Sequence, residues 1–148
     1  MNIRRYLPII CVAGGILGIV AITQLWIHYV EGYDWIMDST GLDLLGSSLA
    51  GFQKFIPFTV AIISVVSVAF AVLAMSASRF WYGIFVCMLI GVLIMVLTSI
   101  FAMWEYEGLK MIHFADIGIW LSYASGGIIM IGAALQYSGM FLKNAKAR

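Results

Sequence analysis

The sequence predicts an all-α membrane protein, a bundle of four transmembrane helices. Hydrophobic residues make up 64% of the 148 residues and charged residues only 10%, whereas about a quarter of the residues of a soluble domain are charged. All seven acidic residues fall in two short windows, and the four stretches that flank these windows carry no acidic or basic residue. Each uncharged stretch has about 25 residues, enough for a helix to cross the hydrocarbon core of a bilayer. The acidic residues are Glu31, Asp34, Asp38, Asp43, Glu105, Glu107 and Asp116.

The basic residues predict how the chain is oriented. Six of them lie near the two ends of the chain or between the second and third uncharged stretches: Arg4, Arg5, Arg79, Lys143, Lys146 and Arg148. Because basic residues are enriched on the cytoplasmic side of a membrane, both termini are predicted to be cytoplasmic and the acidic windows to be outside, in a multi-pass protein of the cell membrane. The predicted single membrane domain, residues 1–148, has spans 6–30, 55–78, 80–104 and 117–142 and outer loops 31–54 and 105–116.

Aromatic side chains mark the predicted ends of the spans, because Trp and Tyr favour the membrane interface. Anchoring at the interface is the simplest role for most of them. The outer set is the larger one, which also favours an outer surface with an interaction of its own. It consists of Trp26, Tyr29, Tyr33, Trp35, Trp104, Tyr106, Trp120 and Tyr123.

The first outer loop predicts a short amphipathic helix that lies on the outer interface. Asp38, Ser39 and Thr40 are suitable helix-start residues, and the apolar residues after them recur at helical spacing. These apolar residues are Leu42, Leu45, Leu49 and Phe52. Three glycines in the segment each weaken such a helix by up to about 1 kcal/mol relative to alanine.

Only residues 76–79 can turn the chain between the second and third spans, so these two helices should be antiparallel neighbours.

Small residues form stripes along the predicted spans. Helices in a membrane associate through close packing at such residues, because lipid is as apolar as a leucine side chain. Packing between the four helices of one chain is one role for the stripes. The alternative is that one stripe docks a second protein, and the fourth span is the predicted docking seam. The helix-association residues are Gly14, Gly18, Gly118, Ser122, Ser125 and Gly132.

The chemical inventory argues against catalysis and proton-coupled transport. No acidic residue, basic residue or histidine lies deep within a predicted span, whereas proton relays and ion pathways ordinarily need one. The sequence also lacks a grouping of serine, histidine and acid, and a glycine-rich phosphate loop. We therefore expect no enzymatic activity, no cofactor and no nucleic-acid partner.

Two pairs of histidine and carboxylate are the only outer residues with a metal-binding pattern. His28 precedes Glu31 by three residues, and His113 precedes Asp116 by three. On a helix this spacing puts both side chains on one face, where an imidazole and a carboxylate can ligate a divalent ion. The alternative is that both histidines are ordinary interface residues.

The two cysteines are predicted to lie at a similar shallow depth on the inner side. Cys11 follows Arg5 by six residues, and Cys87 follows Arg79 by eight. This placement excludes a disulfide that staples the outer loops. Packing as small apolar side chains is the simplest role, and acylation is an alternative for cysteines near a membrane surface.

The topology resembles that of claudin-like tetraspan membrane proteins, which have a larger first outer loop and a short second one. The paired cysteines of the first loop and the Trp-Gly-Leu-Trp signature of claudins are absent. Two segments look more like a pattern of small prokaryotic four-helix membrane proteins of mostly unassigned function. They are Thr40-Gly41-Leu42-Asp43 and Gly118-Ile119-Trp120-Leu121, the latter followed by Gly126, Gly127 and Gly132. The resemblance implies the four-helix fold and no particular activity.

These observations predict a non-catalytic protein that acts by lateral association in the lipid bilayer. It would be an accessory subunit that stabilises a complex of other membrane proteins, or a scaffold that associates with itself. The outer recognition surface is predicted to comprise Asp34, Trp35, Asp38, Asp43, Glu105 and Glu107. The alternative is a small oligomeric channel or carrier with its pore between protomers. The polar residues available for such a pore are Thr23, Gln24, Thr98, Ser99, Ser122, Ser125 and Gln136.

Overall fold

The computed structural model describes residues 7–29, 38–47, 51–76, 82–106 and 108–145. Its helices are α1 (Leu7–Ala21), α2 (Asp43–Gly46), α3 (Ile56–Ser76), α4 (Tyr82–Ala102) and α5 (Ile117–Ala145). Its strands are β1 (Leu25–Ile27), β2 (Ser39–Thr40), β3 (Glu105–Tyr106) and β4 (Leu109–Lys110). Two 3-10 turns, Phe52–Phe55 and Met111–Phe114, precede α3 and α5. The predicted all-α class is confirmed.

The four long helices form a bundle in which α1, α3, α4 and α5 follow one another around a ring, and α5 closes it against α1. On α1, Gly14 meets Ile129 of α5, while Cys11 meets Gly132 one turn further along α5. The two helices therefore run antiparallel. Gly15 packs on Val68 of α3. Close packing at glycines draws the helices together, as helix association in a membrane requires.

The outward faces of the bundle are apolar over most of their length. Ile16 of α1, Val65 of α3, Leu89 of α4 and Ile131 of α5 are each 51–59% exposed. Three helical segments, Phe52–Met75, Tyr82–Ala102 and Ile117–Ser138, are long and apolar enough to cross a membrane. The apolar part of α1, Pro8–Ala21, is shorter. This surface is the one a helical membrane protein presents to lipid.

The predicted first span, residues 6–30, is wrong as one continuous helix. α1 ends at Ala21, and the chain turns before entering β1. The carbonyls at the end of α1 find partners immediately downstream: the Thr23 hydroxyl donates to the Val20 carbonyl at 2.8 Å, and the Trp26 indole N–H donates to the Ala21 carbonyl at 2.7 Å. Residues 22–27 carry no charge, and Leu25–Ile27 are apolar because they form a largely buried strand. A short apolar run cannot by itself distinguish a strand from a helix.

The predicted amphipathic helix of the first loop is also corrected. α2 has only four residues and ends before Leu49 and Phe52, so it is too short to carry the predicted apolar face. Leu44, which lies off that face, is the fully buried residue of α2. Gly41 packs so closely on Ile22 and Pro57 that a Cβ there would lie within 2.9 Å of both. This contact holds the loop against the end of α1. The segment 48–50, which includes Leu49, lies outside the described residues.

The two loops instead form a folded cap over one end of the bundle. β1 pairs antiparallel with β2, and Ile27 of β1 also bridges to Ala115 just before α5. β3 and β4 form a second, separate hairpin. The cap joins the end of α1, the start of α3, the end of α4 and the start of α5, so it fixes the spacing of the four helices at this end.

Candidate functional site

Trp26 is the centre of the cap, and it was missed as a structural residue because its position suggested interface anchoring. Its side chain is fully buried. The ring meets Phe101 of α4 edge to face, with centroids 5.1 Å apart and planes at 87°, the geometry that aromatic pairs prefer. Gly118 of α5 leaves room for the indole, since a Cβ there would lie 2.3 Å from it. By contrast, Trp120 is 57% exposed, as an interface residue should be.

The structure brings His28 next to Asp116, so it combines one residue from each of the two predicted metal-binding pairs. Their Nδ1 and Oδ2 atoms are 3.8 Å apart. The backbone holds them there, because the His28 N–H donates to the Phe114 carbonyl at 3.0 Å and the Asp116 N–H donates to the Trp26 carbonyl at 3.2 Å. Asp116 also begins α5 by accepting the Ile117 N–H.

A metal centre is not assembled by these residues within the part of the chain that the structure describes. No group of three or more histidine, cysteine or acidic side chains lies together there. His113 is exposed on the turn before α5, and Glu31 lies outside the described residues. His28 and Asp116 therefore connect the two loops of the cap.

The predicted recognition surface contributes three described acidic residues. Asp38 is exposed and accepts the Tyr29 backbone N–H at 2.7 Å. Asp43 accepts both the Thr40 N–H at 3.0 Å and the Thr40 hydroxyl at 2.7 Å. Glu105 is exposed on β3 and pairs in register with Lys110 of β4. Asp34, Trp35 and Glu107 lie outside the described residues.

The Thr40 hydroxyl and backbone N–H lower the pKa of the Asp43 carboxyl below its ordinary range. A group whose pKa is lowered in the folded protein contributes stability above its unfolded pKa and loses it as the pH falls through the folded value. We therefore expect hydrogen exchange at the Thr40 amide to be slower than its intrinsic rate at neutral pH, and this protection to be lost as the pH falls through the lowered pKa of Asp43. Asp43→Ala should lose the protection already at neutral pH, measured by NMR, whereas Asp38→Ala should leave this amide unchanged. Equal exchange rates in Asp43→Ala and the unchanged protein would contradict this role.

The predicted helix-association residues pack against other parts of the same chain. Gly18 lies against the hydroxyls of Ser64 and Ser125. Ser122 and Ser125 are fully buried, and the Ser122 hydroxyl donates to the Gly118 carbonyl at 2.9 Å. Gly132 is buried against Cys11. The fourth-span stripe is thus occupied by this chain's own helices and leaves no room there for a second protein.

Three of the seven residues considered for a pore are also placed in the interior. Thr98, Ser122 and Ser125 are fully buried within the bundle, so they cannot line a channel between protomers. Ser99 is partly buried, and its hydroxyl is 2.9 Å from that of Tyr123 on α5. Thr23 and Gln24 lie in the turn after α1, and Gln136 lies near the opposite end of the bundle.

A shallow hollow lies on the outward face of α4, in the half of the helix nearest the cap. It has a volume of about 400 Å³ and is lined by Met95, Val96, Ser99, Ile100 and Met103. We call this surface the α4 hollow. Sequence reasoning did not identify it, because an apolar helix with no charges gives no signal of which face its own bundle leaves uncovered.

A second, deeper feature lies between α4 and α5 near the other end of the bundle. This apolar cleft has a volume of about 220 Å³ and is lined by Ile84, Phe85, Met88, Ala133 and Tyr137. Ile84 and Ala133 are buried and belong to the same core cluster as Cys11 and Cys87. The cleft therefore opens onto the apolar core of the bundle.

No family model, curated protein or solved structure matches this chain.

Proposed function

We propose that this is a four-pass protein of the cell membrane, with both termini cytoplasmic and the cap outside, that acts by lateral association as an accessory subunit of a membrane complex. The observation that carries the proposal is the α4 hollow, an apolar concave surface that the chain's own helices leave uncovered. The small residues that could have docked a partner are used inside the bundle, which leaves this face of α4 for association.

The lining of the α4 hollow suits a helix from another protein. Met95 and Met103 have flexible, polarisable side chains that adapt to irregular neighbours, and Met103 is 61% exposed. The Ser99 hydroxyl is already held by the Met95 carbonyl and the Tyr123 hydroxyl, so the surface that a partner meets is mainly apolar. Lipid chains can also fill such a hollow, so the test must distinguish a protein partner from lipid.

The charge of the cap favours a partner over a second copy of this chain. The two loops carry seven acidic residues against Lys54 and Lys110, and Glu105 follows Met103 by only two residues. Two such caps side by side would repel each other, since like charges on opposed surfaces oppose association. The partner expected is a transmembrane helix with basic residues immediately outside the membrane.

A photoreactive amino acid at Val96 should crosslink to a protein partner in native membranes. Val96 is 48% exposed in the α4 hollow, and Ile62 of α3, 49% exposed, is the matched control. We expect crosslinking from position 96 and little from position 62. Glu105→Lys should reduce the crosslink several-fold, because it removes the attraction to a basic partner.

The size of the product distinguishes the alternatives. A product of about twice the 16.3 kDa chain mass would indicate self-association and contradict the accessory-subunit proposal. Crosslinks only to lipid, or equal protein crosslinks from positions 96 and 62, would show that the α4 hollow has no specific protein partner.

A further inference from the structure

We propose that the apolar cleft between α4 and α5 binds an acyl chain of an anionic phospholipid, whose phosphate lies at the positively charged end of the bundle. This inference goes beyond the lateral association proposed above, because the cleft lies at the opposite end of α4 from the α4 hollow and its occupant is a lipid. In the orientation proposed above, the lipid belongs to the inner leaflet. Binding itself does not depend on that orientation.

The cleft begins beside the closest approach of α4 and α5. The two backbones touch at Gly91 and Gly126, where a Cβ on either glycine would lie within 2.9 Å of the other's carbonyl oxygen. Met130 packs against Gly91 and fills the space next to it. About one turn further along α5, Ala133 lines the cleft together with Ile84 of α4. Ala133 contributes only a methyl group there, so the two helices leave a space between them.

The shape of the cleft suits a flexible apolar chain. Ile84 and Ala133 are buried and form its floor, while Phe85 of α4 and Tyr137 of α5 are 52% and 50% exposed and form its walls. The cleft is therefore open towards the surrounding lipid. A chain that enters it contacts the protein below and on both sides. It gains more dispersion contacts than a chain lying on the convex face of a helix.

The size of the cleft favours a lipid chain over a helix of another protein. An apolar cavity of about 150 Å³ holds a benzene molecule, so at the same density a volume of about 220 Å³ holds about nine carbon atoms. This is part of one acyl chain. A helix with its side chains is about 10 Å across, so it can insert no more than a side chain.

The lining of the cleft carries no charged side chain, so the headgroup of the lipid must lie beyond the cleft, where it stays hydrated. α5 continues from Tyr137 to Ala145. Lys143 therefore lies about 9 Å further along the helix axis, at 1.5 Å per residue. The polar headgroup layer on each side of a bilayer is about 5–8 Å thick. A lipid with its chain beside Tyr137 thus has its phosphate near the level of this basic segment.

The charge at this end of the bundle favours an anionic lipid. No acidic residue lies within 1–30, 55–104 or 117–148 except at the cap end of these ranges. The basic residues that flank this end in the sequence are Arg4, Arg5, Arg79, Lys143, Lys146 and Arg148. Basic segments next to a cleft between transmembrane helices bind the headgroups of anionic lipids. A zwitterionic headgroup has no net charge to match.

Native mass spectrometry of the purified full-length chain in mild detergent tests the preference, with no partner protein present. The probes are equal amounts of phosphatidylglycerol and phosphatidylcholine that have identical acyl chains. We expect a phosphatidylglycerol to be retained at least about fivefold over phosphatidylcholine, the factor that one basic residue near an anionic surface contributes. Lys143→Gln combined with Lys146→Gln should reduce this preference. Equal retention of the two lipids by the unchanged chain, or no retained lipid, would overturn the proposal.

Two pairs of variants test the location of the lipid. Ala133→Leu fills the floor of the cleft and should abolish retention, whereas Ala134→Leu adds the same bulk on the exposed side of α5 and should preserve it. Phe85 and Leu89 are both 52% exposed on α4, and of these two Phe85 lines the cleft. Phe85→Ala should therefore reduce retention several-fold, and Leu89→Ala should not.

The second pair decides if Ala133→Leu does not fold, because replacing exposed side chains usually has little effect on stability. Equal retention by the two members of the folded pair would show that the lipid lies elsewhere on the protein, and would overturn the proposal.

Discussion

Replacing Trp26 with alanine should destabilise the folded protein by about 3–5 kcal/mol, the usual cost of removing a buried Trp or Phe side chain. The change removes the edge-to-face contact with Phe101 and the indole N–H that donates to the Ala21 carbonyl. It also leaves that carbonyl with one donor fewer at the point where α1 ends. The cap should therefore lose its central buried side chain, and the end of α1 should separate from the start of α5.

Trp120→Ala is the matched control, because Trp120 is 57% exposed and its ring lies beside that of Tyr123, with centroids 6.2 Å apart. Surface changes away from buried networks usually alter stability by about 0.5 kcal/mol or less. Thermal unfolding in one mild detergent, followed by circular dichroism, compares the two variants. If both lower the transition temperature equally, Trp26 is an interface anchor and the buried position described above is wrong.

Replacing Gly126 with leucine should have a comparable effect on the bundle. A Cβ at Gly126 would lie 2.9 Å from the Gly91 carbonyl oxygen, and a Cβ at Gly91 would lie 2.8 Å from the Gly126 carbonyl oxygen. The two helix backbones thus touch at these glycines, and backbone cannot move aside as a flexible side chain can. Overpacking a core site costs about 1–3 kcal/mol, and this site should reach or exceed the upper value.

Gly127→Leu provides a control one residue away on the same helix. A Cβ at Gly127 meets nothing within 4 Å, and leucine favours the helix over glycine. Gly127→Leu should therefore leave the stability unchanged or raise it slightly, while Gly126→Leu separates α4 from α5. Fluorescence-detected size-exclusion chromatography after heating measures both. Equal loss of folded protein in the two variants would show that α4 and α5 do not approach at Gly126.

The bounds of the three longest helices could be predicted to within a few residues. The uncharged stretches 55–78, 80–104 and 117–142 correspond to Ile56–Ser76, Tyr82–Ala102 and Ile117–Ala145. Charges mark where a helix leaves the hydrocarbon core, so their absence locates a span directly. The same rule failed after Ala21, because the chain there stays uncharged through a turn and then a buried strand of the cap.

The direction in which each small residue faces could not be predicted. A stripe of glycine and serine indicates which face of a helix allows close approach, but it does not indicate what approaches. In the structure Gly18 meets Ser64 and Ser125 of its own chain.

Of the candidate functional site, only the acidic residues of the cap could be predicted from the sequence. The acidic cap residues Asp38, Asp43 and Glu105 are exposed or partly held by loop hydrogen bonds, as their type suggests. The α4 hollow and the apolar cleft arise from the spacing between packed helices, which a uniformly apolar sequence does not specify.

The central claim is that the chain crosses the bilayer four times with the cap outside. The claim depends most on α1, because α1 is the shortest of the four long helices. Its 15 residues span only about 22 Å at 1.5 Å per residue, against a hydrocarbon core of about 30 Å. Reporters of membrane side, attached before Met1, within residues 76–79, after Arg148 and at Gly46, decide the topology in intact cells. Gly46 is exposed and a Cβ there meets nothing within 4 Å, so an insertion there is tolerable. We expect the first three to report the cytoplasm and Gly46 to report the outside. Termini on opposite sides of the membrane would show that α1 does not cross, and would contradict the account.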